Sequence, residues 1–293
     1  MRAPLPALAG VLLSLSLGLP HPAKAESVVN RVTRTGQLKV LVMNDDLPYS
    51  TAQGNGYAGL AMEFAQQIQQ ELGQALGKPV QLKPIPAKSV EQGLDSIVLG
   101  KADIACGVSF SWGASSVVDY SLPFALTGVR LLTPPGNDGT PAALAGQRIG
   151  VVKNSLAAAT LAAAAPKATL VPLENPQAAL GALASGQVKF LAGDSLWLMA
   201  NRNTAAASPN LVPPVPYNRS AVACIVAENN SAFLNVSNLA IARLLQAYIN
   251  GDPKAVNRIN RWIGPGSSLN LSQDVIKAYF TNVLLTAALV SQS

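Results

Sequence analysis

Beyond residue 25 the chain has no histidine, the single one being His21. That absence excludes Ser-His-Asp and Cys-His catalysis and every histidine-based metal site from all that follows the first 25 residues. Cysteine is almost as scarce, with 2 in the chain, Cys106 and Cys224. Two thiols cannot make a structural zinc site alone, and both stand isolated in apolar strands, which reads as buried thiols. Charge is sparse too: 12% of residues are charged and 49% hydrophobic, a balance that argues for a compact globule and against disorder. Of the 21 Lys and Arg, Arg2 and Lys24 fall in a leader, and the remainder barely exceed the 15 acids. No basic block or aromatic-basic stripe occurs, so nucleic acid is not an expected partner. No cofactor or metal is expected.

What is present starts with that leader. Arg2 supplies a positive end, Ala7 to Leu19 an apolar core, and Ala23-Lys24-Ala25 a small-x-small cleavage site. Residues 1–25 are therefore expected to be a signal peptide, the apolar run being well short of the ~20 residues a spanning helix needs. No Cys near the cleavage site marks a lipoprotein anchor. The exported chain is expected to begin near Glu26, in the periplasm, with no membrane span. There a disulfide becomes possible. Residues 26–293 exceed the usual single-core size, so two lobes are the natural expectation.

The pattern that follows is strand-helix-strand. Gln37 to Val42 fits a buried parallel strand ending in the polar turn Asn44-Asp45-Asp46-Leu47-Pro48-Tyr49. Leu60 to Leu72 has helical spacing, with Leu60, Phe64, Ile68 and Leu72 on one face. Val80 to Ile85 reads as a strand, Ser89 to Leu99 as a helix and Ala102 to Val108 as a strand, which implies a parallel sheet covered by helices. The Pro- and Gly-rich run from Pro134 to Pro141 is a loop, after which the same grammar restarts through Val188 to Ala192. Ala221 to Val226 is a further strand, and long helices follow over Ala232 to Ile249 and Lys254 to Ile263. The last helix, Ser272 to Leu289, has an apolar face of Val275, Ile276, Tyr279, Phe280, Val283 and Leu284. Lys277 is its only basic residue, which favours docking onto a lobe over a membrane surface.

One segment carries a family resemblance. Tyr120-Ser121-Leu122-Pro123-Phe124, preceded by Asp103, Gly107 and Ser111, resembles the cleft segment of the bacterial solute-binding proteins of family 3. Gly59-Leu60-Ala61-Met62-Glu63-Phe64-Ala65 is similar to that family's first-helix opening, and Leu144 to Val151 to its entry into the second lobe. Ala184 to Lys189 followed by Gly193-Asp194-Ser195, then Asn250-Gly251-Asp252 and Trp262, extend the similarity over roughly residues 36 to 263. Three positions depart from the pattern: Ala114 stands where the family has a carboxylate-clamping Arg, Gly113 replaces an acid, and Ala61 replaces an Asp.

The resemblance implies an α/β, two-lobed periplasmic binding protein fold (type II), with two hinge strands and a ligand cleft between the lobes. The crossings fall near Ala125–Val129 and Arg219–Ala223. Lobe 1 would comprise 26–125 and 222–263 and lobe 2 would comprise 126–221, with 264–293 as a C-terminal helix docked on them. Cys106 and Cys224 would then lie on neighbouring strands of one lobe, able to pair. Carried over residue by residue, Tyr49 would be an aromatic wall, while Gly107 and Ser109 would offer a carbonyl and a hydroxyl. Ser111 would cap the next helix or meet a carboxylate, Ser155 would open a helix whose free N–H groups favour an anion, and Asp194 would accept from an ammonium. Trp112 would be a new cleft wall or a surface-packed side chain. Ser109 and Ser111 also suit plain turns, Ser155 and Asp194 suit helix caps, and Tyr49 suits simple packing.

A bidentate Arg matches a carboxylate in shape and charge, so its loss at Ala114 shifts the expectation from free amino acids to a small polar, amine-containing solute. Arg130 and Arg219 both fall near the predicted hinge, and the sequence leaves open whether either reaches the cleft to replace it. The expected function is solute binding by lobe closure, for an importer of the ABC type or as an orphan receptor of a secreted peptide. The latter resembles the binding-like proteins found with systems that modify glycine-rich repeat peptides. A monomer is expected. Catalysis of the cyclohexadienyl dehydratase kind, which shares the fold, is not, because it needs a proton donor and carboxylate-binding cations in the cleft.

Overall fold

A computed structural model describes residues 26–204 and 209–290; the leader read in residues 1–25 lies outside them. Ser27 caps helix α1 (Val28–Thr35) by accepting from Asn30 N–H, and Gly36 ends it at φ 67°, a left-handed turn open to glycine. The elements expected from sequence begin at Gln37 and do not include this helix, although Val28 and Val32 recur at helical spacing and are the residues it buries. Then come β1 (Gln37–Val42), the hairpin β2 (Thr51–Gln53) and β3 (Gly56–Ala58), α2 (Leu60–Leu76), β4 (Gln81–Pro86), α3 (Val90–Val98), β5 (Ile104–Ser109) and β6 (Val118–Tyr120). β7 (Ala125–Thr133) leads into β8 (Arg148–Val152), α4 (Leu156–Ala164), β9 (Thr169–Leu173), α5 (Pro176–Ala184), β10 (Phe190–Asp194), α6 (Ser195–Asn201) and β11 (Asn210–Val212). β12 (Arg219–Ala227) returns, and α7 (Ser231–Ile249), α8 (Pro253–Asn260) and α9 (Gln273–Val290) close the chain.

The strands run in the order β4-β1-β5-β12-β7-β10-β8-β9. At one end β1 is parallel to β4 and β5, and at the other β8 is parallel to β9 and β10. Between these parallel blocks stand the antiparallel β12 and β7, paired from Arg219↔Gly128 to Val222↔Ala125. The two halves are thus joined by strands that cross together, and each half is a parallel sheet with its own helices.

Apolar period places the helices. Leu60, Phe64, Ile68 and Leu72 of α2 are all fully buried, and Phe64 stacks on Phe124 with ring centroids 4.1 Å apart. On α9 the buried residues are Ile276, Phe280 and Val283, while Tyr279 donates to the Ala125 carbonyl at the start of β7. Val275, expected on the inner face, is 58% exposed. The face that meets α7 is centred one residue later, so Val275 points away from it.

Glu63 is the acid that the α2 motif retains, and its partners explain why. Its Oε2 accepts from Arg258 Nε at 2.7 Å, its Oε1 from Trp262 Nε1 at 3.2 Å, and its carbonyl from Arg258 Nη2 at 2.5 Å. This ties α2 to α8. Removing one partner of a buried, hydrogen-bonded pair strands the other, so Glu63→Ala is expected to lower unfolding free energy by about 3–5 kcal/mol. Urea denaturation checks this; a loss within about 0.5 kcal/mol, the size of an ordinary surface substitution, would show the clamp to be idle.

Candidate functional site

The carboxyl ends of β1, β5, β8 and β10 face one cavity of ≈ 280 Å³, lined among others by Met43, Ser109, Val152 and Asp194. Ligands of parallel α/β sheets bind beyond the carboxyl ends of strands, where loops and helix starts converge. The volume sits just below the range of drug-sized pockets, so it suits a small solute. Its aliphatic walls include Leu41, Val90, Leu94 and Leu156.

Tyr49 is positioned by local necessity. Leu60 and Ala61 N–H at the start of α2 donate to the Pro48 and Tyr49 carbonyls at 2.7 and 3.0 Å. That approach is so close that a Cβ on Gly59 would stand 2.0 Å from the Tyr49 carbonyl oxygen. From the other side, Gly107 adopts φ 89° beneath the ring, and a Cβ there would meet the Tyr49 Cβ at 2.8 Å. Tyr49 is thereby held at 2% exposure, its hydroxyl donating to Asp194 with Oδ1 and Oδ2 each 3.1 Å away. It is a wall, and also a hydrogen-bond donor across the cleft.

Asp194 ends β10 and caps α6, its Oδ1 accepting from Leu196 and Trp197 N–H at 2.9 and 3.0 Å. Ser109, at the end of β5, donates to Oδ2 at 3.2 Å. One side chain therefore both caps α6 and lines the cavity. The same face is held by Trp197 Nε1 on the Asp45 carbonyl and Asn201 Nδ2 on the Leu47 carbonyl, both at 3.0 Å. On the opposite rim Asn154 Nδ2 donates to Glu91 and Asn175 Nδ2 to the Lys88 carbonyl, again at 3.0 Å. The two halves touch directly around the cavity.

Asp46 is the residue that sequence reasoning passed over. It lines the cavity, and among the described residues no donor reaches its carboxylate, although its backbone pairs with Ser50. Burial pushes its pKa well above the ordinary 3.8, and the neighbouring Asp194 charge adds to this. Asp194 is raised as well by burial, against the pull of the Trp197 N–H, the Thr127 and Tyr49 hydroxyls and the Leu196 N–H. Burial and the two acids also drive the Tyr49 phenol well up. The signal that would have found Asp46 is its place just past the carboxyl end of the first parallel strand; its company of turn-forming residues hid it.

The other expected positions divide. Ser111 lines the cavity, and its Oγ accepts from Ala114 N–H at 3.1 Å, capping a short turn. Ser155 likewise lines it while capping α4 through Ala158 N–H at 3.2 Å. Trp112 is corrected: it is 83% exposed, packs edge-on against Phe110 and stands outside the cavity lining. The open question of Arg130 and Arg219 is answered by position: neither lines the cavity. Arg130 is anchored elsewhere, donating to the Pro213 and Leu211 carbonyls at 2.6 Å each, and Arg219 is exposed at the beginning of β12. Cys106 and Cys224 face each other across β5 and β12 and are joined as a disulfide.

A pair of parallel-sheet halves bridged by paired strands, with a cavity between them, is the type II two-lobed periplasmic binding protein fold. Solved structures agree at the level of fold. An ancestral amino-acid-binding protein described as a precursor of cyclohexadienyl dehydratase aligns with TM-score 0.68 at 19% identity, over 82% of this chain and 100% of that one. A substrate-binding protein of an amino acid ABC transporter from Streptococcus pneumoniae, bound to L-arginine, aligns with TM-score 0.68 at 21% identity, over 80% and 97%. The chain belongs to the bacterial extracellular solute-binding proteins, family 3, whose profile matches residues 38–264. It is 30% identical over 230 residues to the virulence sensor protein BvgS of Bordetella pertussis, a match covering 76% of this chain and 17% of that much longer protein.

Proposed function

We propose that this is an exported binding protein that closes its lobes, 26–125 with 222–263 and 126–221, around a small amine-bearing solute. The observation that carries the reading is the charge of the cavity: Asp46 and Asp194 line it, and among the described residues no Lys, Arg or His does. Ala114 occupies the lining where the family's Arg would stand, which leaves a carboxylate no bidentate partner. An ammonium is favoured and a free carboxylate is not. Ser109, Ser111, Tyr49, Gly107 and Ser155 serve as the polar and positioning groups around it. Catalysis is not assigned, because the lining offers no cation to hold a carboxylated substrate.

A second reading, an ordinary amino acid, is favoured by one feature. The start of α4, with Ser155, Leu156 and Ala157, lines the cavity and could face a carboxylate. A helix start supplies about half a positive charge, against two carboxylates, so the amine without a carboxylate prevails. Among the described residues no helix is long and apolar enough to cross a membrane. Delivery to an importer, as in the pneumococcal relative, or signalling, as in the sensor, would read the closed form.

A thermal-shift screen against amines, amino acids, short peptides and neutral metabolites tests this. A solute at a hundred times its Kd adds about 2.7 kcal/mol and must raise Tm; hits confined to neutral or acidic solutes would end the reading. A pH series extends it. Both acids have folded pKa values above the ordinary 3.8, so their ionisation lowers stability as pH rises past 3.8 toward the raised values. An ammonium favours the ionised forms and relieves that loss. Affinity is therefore expected to fall as pH is lowered through the same window, with protons released on binding, measured by titration calorimetry in buffers of different ionisation enthalpy.

A further inference from the structure

We propose that the cavity takes an organic dication with an amine at each end and no carboxylate, a small diaminoalkane, held by Asp46 at one end and by Asp194 with the Tyr49 and Ser109 hydroxyls at the other. This rests on the amine-binding reading above and narrows its ligand.

The two acids offer different receptors. Among the described residues no donor reaches the Asp46 carboxylate, so it can accept an ammonium without breaking anything. Asp194 already accepts from Tyr49, Ser109 and the start of α6. Its hydroxyl partners are donors toward it, and each keeps lone pairs that can accept from a cation. An amine there is cradled by hydroxyl oxygens that the carboxylate behind them polarises.

Charge balance then selects the number of amines. With Asp46 and Asp194 lining the cavity and no cation among its described lining residues, a monoamine leaves one acid either charged and unpaired or held protonated between aliphatic walls. An unpaired charge in apolar surroundings is the costly arrangement. A diamine compensates both. A basic amino acid also carries two amines, but its carboxylate would enter a cavity that already holds two anions, with Ala114 in place of an Arg. The diamine is that amino acid without the group the site cannot hold. Leu41, Val90, Leu94 and Leu156 suit the methylene spacer, each buried methylene being worth about fourfold in affinity. The charged or titratable groups lining the cavity with Asp46 are Asp194, Tyr49 and Tyr120.

Calorimetric titration of the purified protein with diaminobutane, butylamine and lysine decides it. Diaminobutane is expected to bind about thirtyfold or more tighter than butylamine, the worth of one further charged hydrogen bond. Asp46→Asn, which removes a charge but no hydrogen bond, is expected to bring diaminobutane down to the butylamine level. Equal binding of diaminobutane and butylamine would overturn the dication while leaving the amine reading intact. Tightest binding of lysine, or binding of none of the three, would overturn both. Unchanged diaminobutane affinity in Asp46→Asn would overturn the role of Asp46. The comparison of the three ligands on the unaltered protein stands even if the variant fails to fold.

Discussion

Asp194→Asn is expected to lower the affinity for an amine-bearing solute by about two to three decades while the protein stays folded. The substitution separates the two duties of this side chain. As a helix cap Asn is equivalent to Asp, and its Oδ1 can still accept from Leu196 and Trp197 N–H, now 2.9 and 3.0 Å away. What disappears is the negative charge behind the Tyr49 and Ser109 hydroxyls. Losing one partner of a desolvated charge pair costs about 2–5 kcal/mol, with tenfold for each 1.4 kcal/mol. Calorimetry gives the affinity and a urea melt the stability. Unchanged affinity would reduce Asp194 to a structural cap. Tyr49→Phe serves as the graded control: it keeps the ring over Gly107, removes one hydroxyl, and should cost about tenfold.

Breaking the Cys106–Cys224 disulfide is expected to destabilise the chain about as much as losing the Glu63 clamp. The cysteines are 118 residues apart, so the bond closes a loop containing all of β7 to β11. Removing a native disulfide typically costs about 2–5 kcal/mol, and at the size of this chain each kcal/mol moves Tm by about 2–4 °C, so a fall of about ten degrees is expected. It pins β12 to β5 on the side of the paired strands where the first half lies. The Cys106→Ser/Cys224→Ser variant and the reduced protein should melt together, well below the oxidised one. Thiol titration of the unreduced protein comes first, since two free thiols would remove the bond and the prediction with it.

Much of this architecture is legible in residue order. The period of Leu60, Phe64, Ile68 and Leu72 announces a helix face, and all of them are buried. Strand-helix alternation announces parallel sheets, and the crossings expected at Ala125–Val129 and Arg219–Ala223 fall on β7 and β12, which pair with each other. Two elements depart from expectation. α1 is not among the expected helices although Val28 and Val32 have helical spacing between the Ser27 and Gly36 caps, and the face of α9 is displaced by one residue because its packing against α7 decides which side is inner.

The chemistry of the site was only half legible. Ala114 is visible as a missing Arg, yet whether Arg130 or Arg219 replaces it is a question of direction. Backbone carbonyls at Pro213 and Leu211 claim Arg130, and no pattern along the chain could show that. The sequence by itself determined the fold class and the inner face of α2, because period and motif are properties of neighbours along the chain. Only the tertiary structure decided that Asp46 and Asp194 line one cavity with no cation among its described lining residues, that the Tyr49 hydroxyl reaches Asp194, and that Trp112 points outward. Those contacts join groups up to 148 residues apart, as the separation of Asp46 and Asp194 in the chain shows, and a cavity's net charge exists only once its walls have met.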